Sequence, residues 1–211
     1  MAAVLSLAWQ RYLFNLNQKP LRTKALTSAF IAGLSDVIAQ RIISGGYKNS
    51  RRTLAIACYG LIWNGPSAHF WQKFMEYLFP GKTDMKTVLK KVLIDQLSYG
   101  PVCNLLFMSF ATTVLEGRSL VFLRAKVQRD YPLVQLNGWK VWPLAALINY
   151  RFVPLQFRVL FINCVALCWS IFLLMRARNM AGLAPAPAPQ QQQQPAQQAG
   201  AKATAGVNKE L

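Results

Sequence analysis

The feature that most constrains this chain is an uncharged run near its C-terminus, residues 159–175, which lies between Arg158 and Arg176. Its seventeen residues would extend about 25 Å as an α-helix, close to the hydrocarbon thickness of a bilayer. The flanking arginines can extend to the headgroups on either side. A helix in the core of a soluble protein can also be uncharged over five turns, so this run alone leaves two interpretations open.

Three further apolar segments favour the membrane. Residues 25–40, 53–72 and 92–115 carry almost no charge, and the chain as a whole is 54% hydrophobic and only 15% charged, which is apolar for a soluble protein of this size. We therefore predict an all-α integral membrane bundle of four transmembrane helices with amphipathic helices at the interface. The expected organisation is an N-terminal interfacial or targeting segment (1–24), a four-span domain (25–180) and a disordered Ala/Pro/Gln-rich tail (181–211).

The charge is strongly basic, with 24 lysines and arginines against seven acids and a net charge of +17. The basic residues lie between apolar runs rather than in stripes with exposed aromatics, so lipid headgroups or anions are the expected partners and nucleic acid is not. The sequence contains no phosphate-binding loop, zinc signature, nucleophile elbow or paired carboxylates. We expect no enzyme, no catalytic residue, no cofactor and no metal.

Two amphipathic segments flank the apolar runs. Leu5, Trp9, Leu13 and Leu16 repeat at helical spacing, which predicts a helix that stops before Pro20 and can lie on a membrane surface. The acid-poor start also fits a mitochondrial targeting peptide. A second interfacial helix is expected over residues 118–131 and should be ended by Pro132.

Polar side chains within or beside the apolar runs are the candidate functional residues, because each is costly in lipid and should face the bundle interior. They are Asp36, His69, Asp95, Asn149 and Arg158. They either hold helices in register or line a hydrophilic path and set its charge selectivity. We expect an ion pair between Arg158 and either Asp36 or Asp95, because pairing avoids two separate desolvation costs.

Helix breaks are expected at four prolines: Pro66, Pro101, Pro143 and Pro154. Pro66 and Pro101 each follow a glycine inside an apolar run, which hints at an internal repeat. A small-residue ridge at Ala25, Ala29 and Gly33 should let a neighbouring helix approach closely.

Several motifs in the same order resemble the four-span Mpv-seventeen family, which includes the twenty-two-kilodalton peroxisomal membrane protein. The C-terminal ones are Trp139-x-x-Trp142-Pro143, Asn149-Tyr150, Val153-Pro154, Arg158 and Trp169. Upstream ones include Pro20-Leu21-Arg22-Thr23-Lys24, Gly33, Asp36, Gly65-Pro66 with His69, and Asp95-Gln96. The resemblance covers about residues 10–180 and is closest to the peroxisomal branch of green organisms.

The resemblance implies a multi-pass peroxisomal membrane protein with both termini cytosolic, forming or contributing to a pore for small solutes. It implies a targeting motif at Tyr12, Leu13, Leu16, Pro20 and Leu21, and contact with the bilayer and the peroxisomal membrane-protein import machinery; a homo-oligomer is left open. The alternatives are a mitochondrial inner-membrane channel of the same family and a non-conducting structural or assembly protein.

Overall fold

The computed structural model describes residues 2–44, 49–81 and 84–183, and all secondary structure in these ranges is helical. The all-α prediction is therefore confirmed. The α-helices are α1 (Ala2–Gln18), α2 (Pro20–Ser44), α3 (Ser50–Tyr59), α4 (Gly65–Leu78), α5 (Met85–Ile94), α6 (Gly100–Phe110), α7 (Leu120–Gly138), α8 (Trp142–Phe152) and α9 (Arg158–Leu183).

Residues 1–178 form one compact unit. A second unit covers residues 179–211, of which the structure describes only the end of α9, residues 179–183. Most of the predicted disordered tail, from residue 184 onward, lies outside the described residues.

Two of the described helices are long and apolar enough to cross a membrane, Pro20–Ile43 and Met85–Leu115. They contain the first and third predicted spans. Arg158–Phe172 is apolar but shorter, and residues 53–72 do not meet the same length and composition requirement. The sequence placed residues 20–24 in the N-terminal segment, but α2 already begins at Pro20, a favoured first helical residue because its missing N–H would have no partner there.

The helices do not break at Pro66 or Pro101, contrary to the prediction. Five-residue π-helical segments, Gly60–Asn64 and Asp95–Tyr99, directly precede the two Gly-Pro pairs. The N–H of Gly65 bonds to the carbonyl of Gly60, and the N–H of Gly100 to the carbonyl of Asp95, each five residues back. The wider turn accommodates the proline ring, which in a regular α-helix would clash with the carbonyl four residues earlier.

Each of these helices is therefore continuous. We call Ser50–Leu78, which joins α3, the first π segment and α4, the first Gly-Pro helix. Met85–Leu115, which joins α5, the second π segment and α6 and ends in a further π segment at Ala111–Leu115, is the second Gly-Pro helix. The shared local structure agrees with the internal repeat suggested by the sequence.

The small-residue ridge of α2 packs closely against the first Gly-Pro helix. A Cβ atom added at Gly65 would lie 2.6 Å from the Cα of Ala25, and one at Gly60 would lie 2.9 Å from the Cα of Ala29. At Gly33 it would lie 3.5 Å from the Cβ of Ala57. The predicted close approach is confirmed, and the π turn makes it possible because it brings two glycines five residues apart onto one face.

The remaining prolines differ in their effects. Pro132 lies inside α7, which continues to Gly138, so the predicted end of that helix is wrong. Pro143 lies in the first turn of α8 and so begins a helix. Pro154 falls between α8, which ends at Phe152, and α9, which begins at Arg158.

A small apolar core lies where α4, α5 and α8 meet. It consists of Met75, Val88, Val92, Ala146 and Tyr150. This core positions the polar side chains described next, because the same three helices carry most of them.

Candidate functional site

The polarity of the molecule is inverted relative to a water-soluble protein. Among the described side chains, twelve polar or charged residues are buried against nine apolar ones, and 36 large apolar side chains are exposed. Soluble proteins bury apolar residues and almost never fully bury Lys, Arg or Asp. Lipid reverses this preference, because it solvates apolar side chains and not polar ones.

Glu76 is the centre of a buried charge cluster. Its Oε2 lies 3.2 Å from Nη1 of Arg158 and 3.5 Å from Nζ of Lys91, and its Oε1 accepts the backbone N–H of Gly81 at 2.8 Å. The side chains of Lys91 and Arg158 are only 1% and 7% exposed. Burial by itself would raise the pKa of Glu76, but the Gly81 amide and the two cations together hold this pKa below its ordinary value.

The predicted partner of Arg158 is therefore wrong. Arg158 pairs with Glu76, and its Nε donates to the carbonyl of Val153 at 3.1 Å. Glu76 follows the second predicted span, at the end of α4, and lies near Arg158 only because α4 and the start of α9 meet in the fold. Asp36 and Asp95 make other contacts.

Asp95 is held by neutral donors. Its Oδ1 accepts from Nε1 of Trp71 at 2.7 Å and from the hydroxyl of Tyr150 at 3.1 Å, and its Oδ2 accepts from Nε2 of Gln96 at 3.1 Å. Tyr150 links this carboxylate to the Glu76 cluster, because the Arg158 guanidinium lies over its ring at 5.4 Å from the centroid. The carboxylates of Asp95 and Glu76 are thus connected through Tyr150 and Arg158.

Asp36 lies in a separate cluster that joins α2 to the start of α3. It pairs with Nε of Arg52 at 2.9 Å and accepts from the hydroxyl of Thr53 at 2.6 Å and from Nε2 of Gln40 at 2.8 Å. Asn49 accepts the N–H of Arg52 as an N-cap. With its lone pairs occupied by local partners, this carboxylate stabilises the α2 to α3 connection.

His69 and Asn149 lie in the interior with unsatisfied atoms. Both residues are buried, and neither His69 Nδ1 nor Asn149 Oδ1 has a hydrogen-bond partner among the described residues. The same is true of Gln72 Oε1. Buried polar atoms of this kind are rare in folded proteins and need an explanation, such as a water molecule or a ligand.

The residues of the predicted targeting motif lie at the junction of α1 and α2. Leu16 is buried, and the hydroxyl of Tyr12 accepts a hydrogen bond from Thr27 at 3.5 Å. Leu21 is exposed. Leu13 is partly buried, so the motif is divided between packing contacts and the surface.

Sequence reasoning missed Glu76, Lys91 and Lys24, all of which flank the apolar runs rather than interrupt them. The composition could have pointed to Glu76, because the chain has only seven acidic residues to pair with 24 basic ones. In such a chain each acid next to an apolar run is a strong candidate for the partner of a buried cation. Among the described residues, no group of three His, Cys, Asp or Glu side chains could hold a metal ion.

An all-helical chain with this inverted polarity and two helices long enough to span a bilayer is an integral membrane protein. The Mpv17 / PMP22 family model matches residues 113–174. The chain is 41% identical to the peroxisomal membrane protein PMP22 of Arabidopsis thaliana over 81% of its own length and 90% of the relative. This chain belongs to the Mpv17 / PMP22 family.

Further relatives agree. The chain is 38% identical to PXMP2/4 family protein 3 of Dictyostelium discoideum, over 77% of this chain and 86% of the relative. It is 33% identical to the human mitochondrial inner membrane protein Mpv17, over 82% of this chain and 98% of the relative. These names agree with the predicted peroxisomal membrane and with its mitochondrial alternative. No solved structure matches the chain significantly.

Proposed function

We propose that this chain is a multi-pass protein of the peroxisomal membrane that forms or contributes to a pore for small solutes. The observation that carries the proposal is the connected polar interior around Asp95, Tyr150 and Arg158, enclosed by helices with an apolar outer surface. Polar groups retained at membrane depth are costly and characteristically mark solute or ion pathways.

The four-span bundle is part of this proposal. The first Gly-Pro helix is continuous from Ser50 to Leu78, long enough to cross a bilayer at about 1.5 Å per residue. The α9 helix begins with the apolar stretch Arg158–Phe172 and continues to Leu183. These two helices would supply the second and fourth spans beside Pro20–Ile43 and Met85–Leu115.

The compartment rests on the similarity to PMP22, whose name places it in the peroxisomal membrane. Imaging a fluorescent fusion against peroxisomal and mitochondrial markers tests it. Overlap with the mitochondrial marker alone would favour the alternative suggested by the Mpv17 relatives.

Planar-bilayer recording of the purified chain tests the pore. We expect conductance, and we expect Asp95→Asn to shift the reversal potential in a salt gradient, because the change removes a carboxylate from the path. An asparagine can accept from Trp71 and Tyr150 as the carboxylate does, so the variant should fold. Asp130→Asn is the matched control, because Asp130 pairs on α7 with its neighbour Arg129, whose side chain is 76% exposed.

The result separates the two candidate functions. An absence of current from folded protein at every voltage would reject the pore and leave a structural or assembly role. If Asp95→Asn conducts with an unchanged reversal potential, the pore is supported but Asp95 does not line the path.

A further inference from the structure

Lys24 is a buried cation without an acidic partner among the described residues. The residue is 5% exposed, and its Nζ makes one hydrogen bond, to the carbonyl of Leu155 at a long 3.4 Å. The other buried lysine, Lys91, has a carboxylate within 3.5 Å. An ammonium ion held away from water with one weak acceptor is unfavourable, because burial removes hydration that one carbonyl does not replace.

The surroundings of Lys24 increase this cost. Lys73 and Arg158 lie close enough for their charges to repel it, and Lys24 and Lys73 act in the same way on His69. Two acids of the interior, Glu76 and Asp95, are engaged elsewhere. Glu76 is bound by Lys91, Arg158 and the Gly81 amide, and the oxygens of Asp95 accept from its three neutral donors.

Lys24, His69 and Arg158 have hydrogen-bonding groups that are not in use within the described part of the chain. Arg158 uses Nε and Nη1 and makes no described hydrogen bond through Nη2. His69 is only 3% exposed, and its Nδ1 has no hydrogen-bond partner among the described residues. Lys24 has further N–H groups beyond the one directed at Leu155. These groups lie on α2, α4 and the start of α9, so three helices contribute to one positively charged interior face.

We propose that Lys24, His69 and Arg158 form a binding site for the carboxylate group of a small organic anion. This inference rests on the proposed function, since it names the class of solute that the polar interior would admit. A carboxylate fits the local charge, because the single negative charge of Glu76 is already shared between Lys91 and Arg158, and Lys24 has no acidic partner among the described residues. Ammonium and guanidinium groups bind such an anion with short, charge-assisted hydrogen bonds.

The proposal makes an unusual prediction for stability without ligand. If Lys24 were only a structural residue, Lys24→Gln should destabilise the chain. If Lys24 is kept for an anion, Lys24→Gln should leave the unfolding temperature unchanged or raise it, because the change removes a buried charge repelled by Lys73 and Arg158.

Binding is tested by thermal unfolding of the purified full chain in non-ionic detergent, with sodium acetate as the probe and sodium chloride at equal ionic strength as the reference. We expect acetate to raise the unfolding temperature of the wild type more than chloride does. Lys24→Gln should weaken apparent acetate affinity at least about tenfold, the loss expected for one charge-assisted hydrogen bond. Lys24→Arg should retain it, as should Lys90→Gln, a matched control at an exposed lysine.

An equal effect of acetate and chloride on the wild type would overturn the proposal whether or not any variant folds. A full acetate effect in Lys24→Gln would overturn the assignment of Lys24. Sodium phosphate in place of acetate distinguishes a carboxylate site from a general anion site, and a stronger effect of phosphate would overturn the proposed ligand class.

Failure of this site and failure of the pore give different results. If acetate stabilises the chain through Lys24 but no current is recorded in planar bilayers, the site is supported and the pore is rejected. Current without an acetate effect would retain the pore and overturn the site.

Discussion

The two Gly-Pro helices share a local structure and differ in how the rest of the molecule uses it. Each has a five-residue π segment followed by a glycine and a proline. In the first, the glycine meets the backbone of α2, and a Cβ there would lie 2.6 Å from the Cα of Ala25. In the second, the nearest atom to such a Cβ is the carbonyl oxygen of Asp95, 3.4 Å away.

The carboxylates of the two helices differ in the same way. Glu76, on the first Gly-Pro helix, is bound by two buried cations. Asp95, on the second, is bound by an indole, a phenol and an amide. The first helix therefore combines tight packing with charge pairing, whereas the second carries a carboxylate whose hydrogen-bond partners are all neutral.

The largest effect is expected for Glu76→Gln, because this change leaves Lys91 and Arg158 buried without an acid. Removing one partner of a buried pair costs about 3 to 5 kcal/mol. We expect a loss of about 3 kcal/mol in the free energy of unfolding, the lower end of this range, because the Glu76 side chain is 28% exposed. Thermal or denaturant unfolding in detergent measures it.

Glu116→Gln is the control for this change, because Glu116 pairs with Lys126 with 43% of its side chain exposed. Its loss should cost less than about 1 kcal/mol. Equal losses in the two variants would contradict the special role of Glu76.

The next effect compares the two glycines. Gly65→Ala should destabilise the chain by about 1 to 3 kcal/mol, because its Cβ would collide with the backbone of α2. Gly100→Ala should change stability little or increase it by up to about 1 kcal/mol, since alanine favours helix and its Cβ would make only a van der Waals contact with the Asp95 carbonyl oxygen at 3.4 Å. Unfolding of both variants under one set of conditions measures the difference, and equal losses would mean that the close approach to α2 carries no stability.

Acid should weaken the first helix through Glu76. The pKa of Glu76 is lower in the folded chain than in the unfolded one, so its contribution is complete above the unfolded pKa, about 4.3, and is lost as pH falls through the folded value. Unfolding temperatures followed from pH 7 downward should therefore fall below about pH 4 in the wild type. A profile for Glu76→Gln that falls equally steeply would assign the acid loss to other groups.

The smallest effect is expected for the stability of Asp95→Asn. The oxygen of an asparagine can accept from Trp71 and Tyr150 as the carboxylate does. Its NH2 group can donate to Gln96 if the Gln96 amide turns its oxygen toward it. We expect a change within about 1 kcal/mol, measured by unfolding alongside Glu76→Gln. A loss as large as that of Glu76→Gln would show that both helices depend equally on their carboxylates.

The membrane assignment and the small-residue ridge could be predicted from the sequence, because both depend on the type and spacing of neighbouring residues. Ala25, Ala29 and Gly33 predict a close helix contact by their spacing alone. The π turns could not be predicted from Gly65-Pro66 and Gly100-Pro101, because a proline can kink a helix, end it or be accommodated, and packing decides which occurs.

The partners of the buried charges could not be predicted either. Arg158 and Glu76 are 82 residues apart in the chain, and Asp36 finds Arg52 within one helical hairpin. Asp36 and Arg158 are buried and Asp95 is partly buried, but the expected ion pair between Arg158 and one of these carboxylates is replaced by the pair with Glu76.

The sequence by itself determined that this chain is helical and that it is a membrane protein of the Mpv17 / PMP22 family. Helical and membrane character follow from hydrophobic spacing, which is a local property, and family membership follows from similarity between sequences. Only the tertiary structure decided that Glu76 pairs with the two buried cations Lys91 and Arg158 and that Lys24 has no acidic partner within the described part of the chain. Coulombic pairing depends on distances across helices, and those distances are set by how α2, α4, α5 and α9 pack.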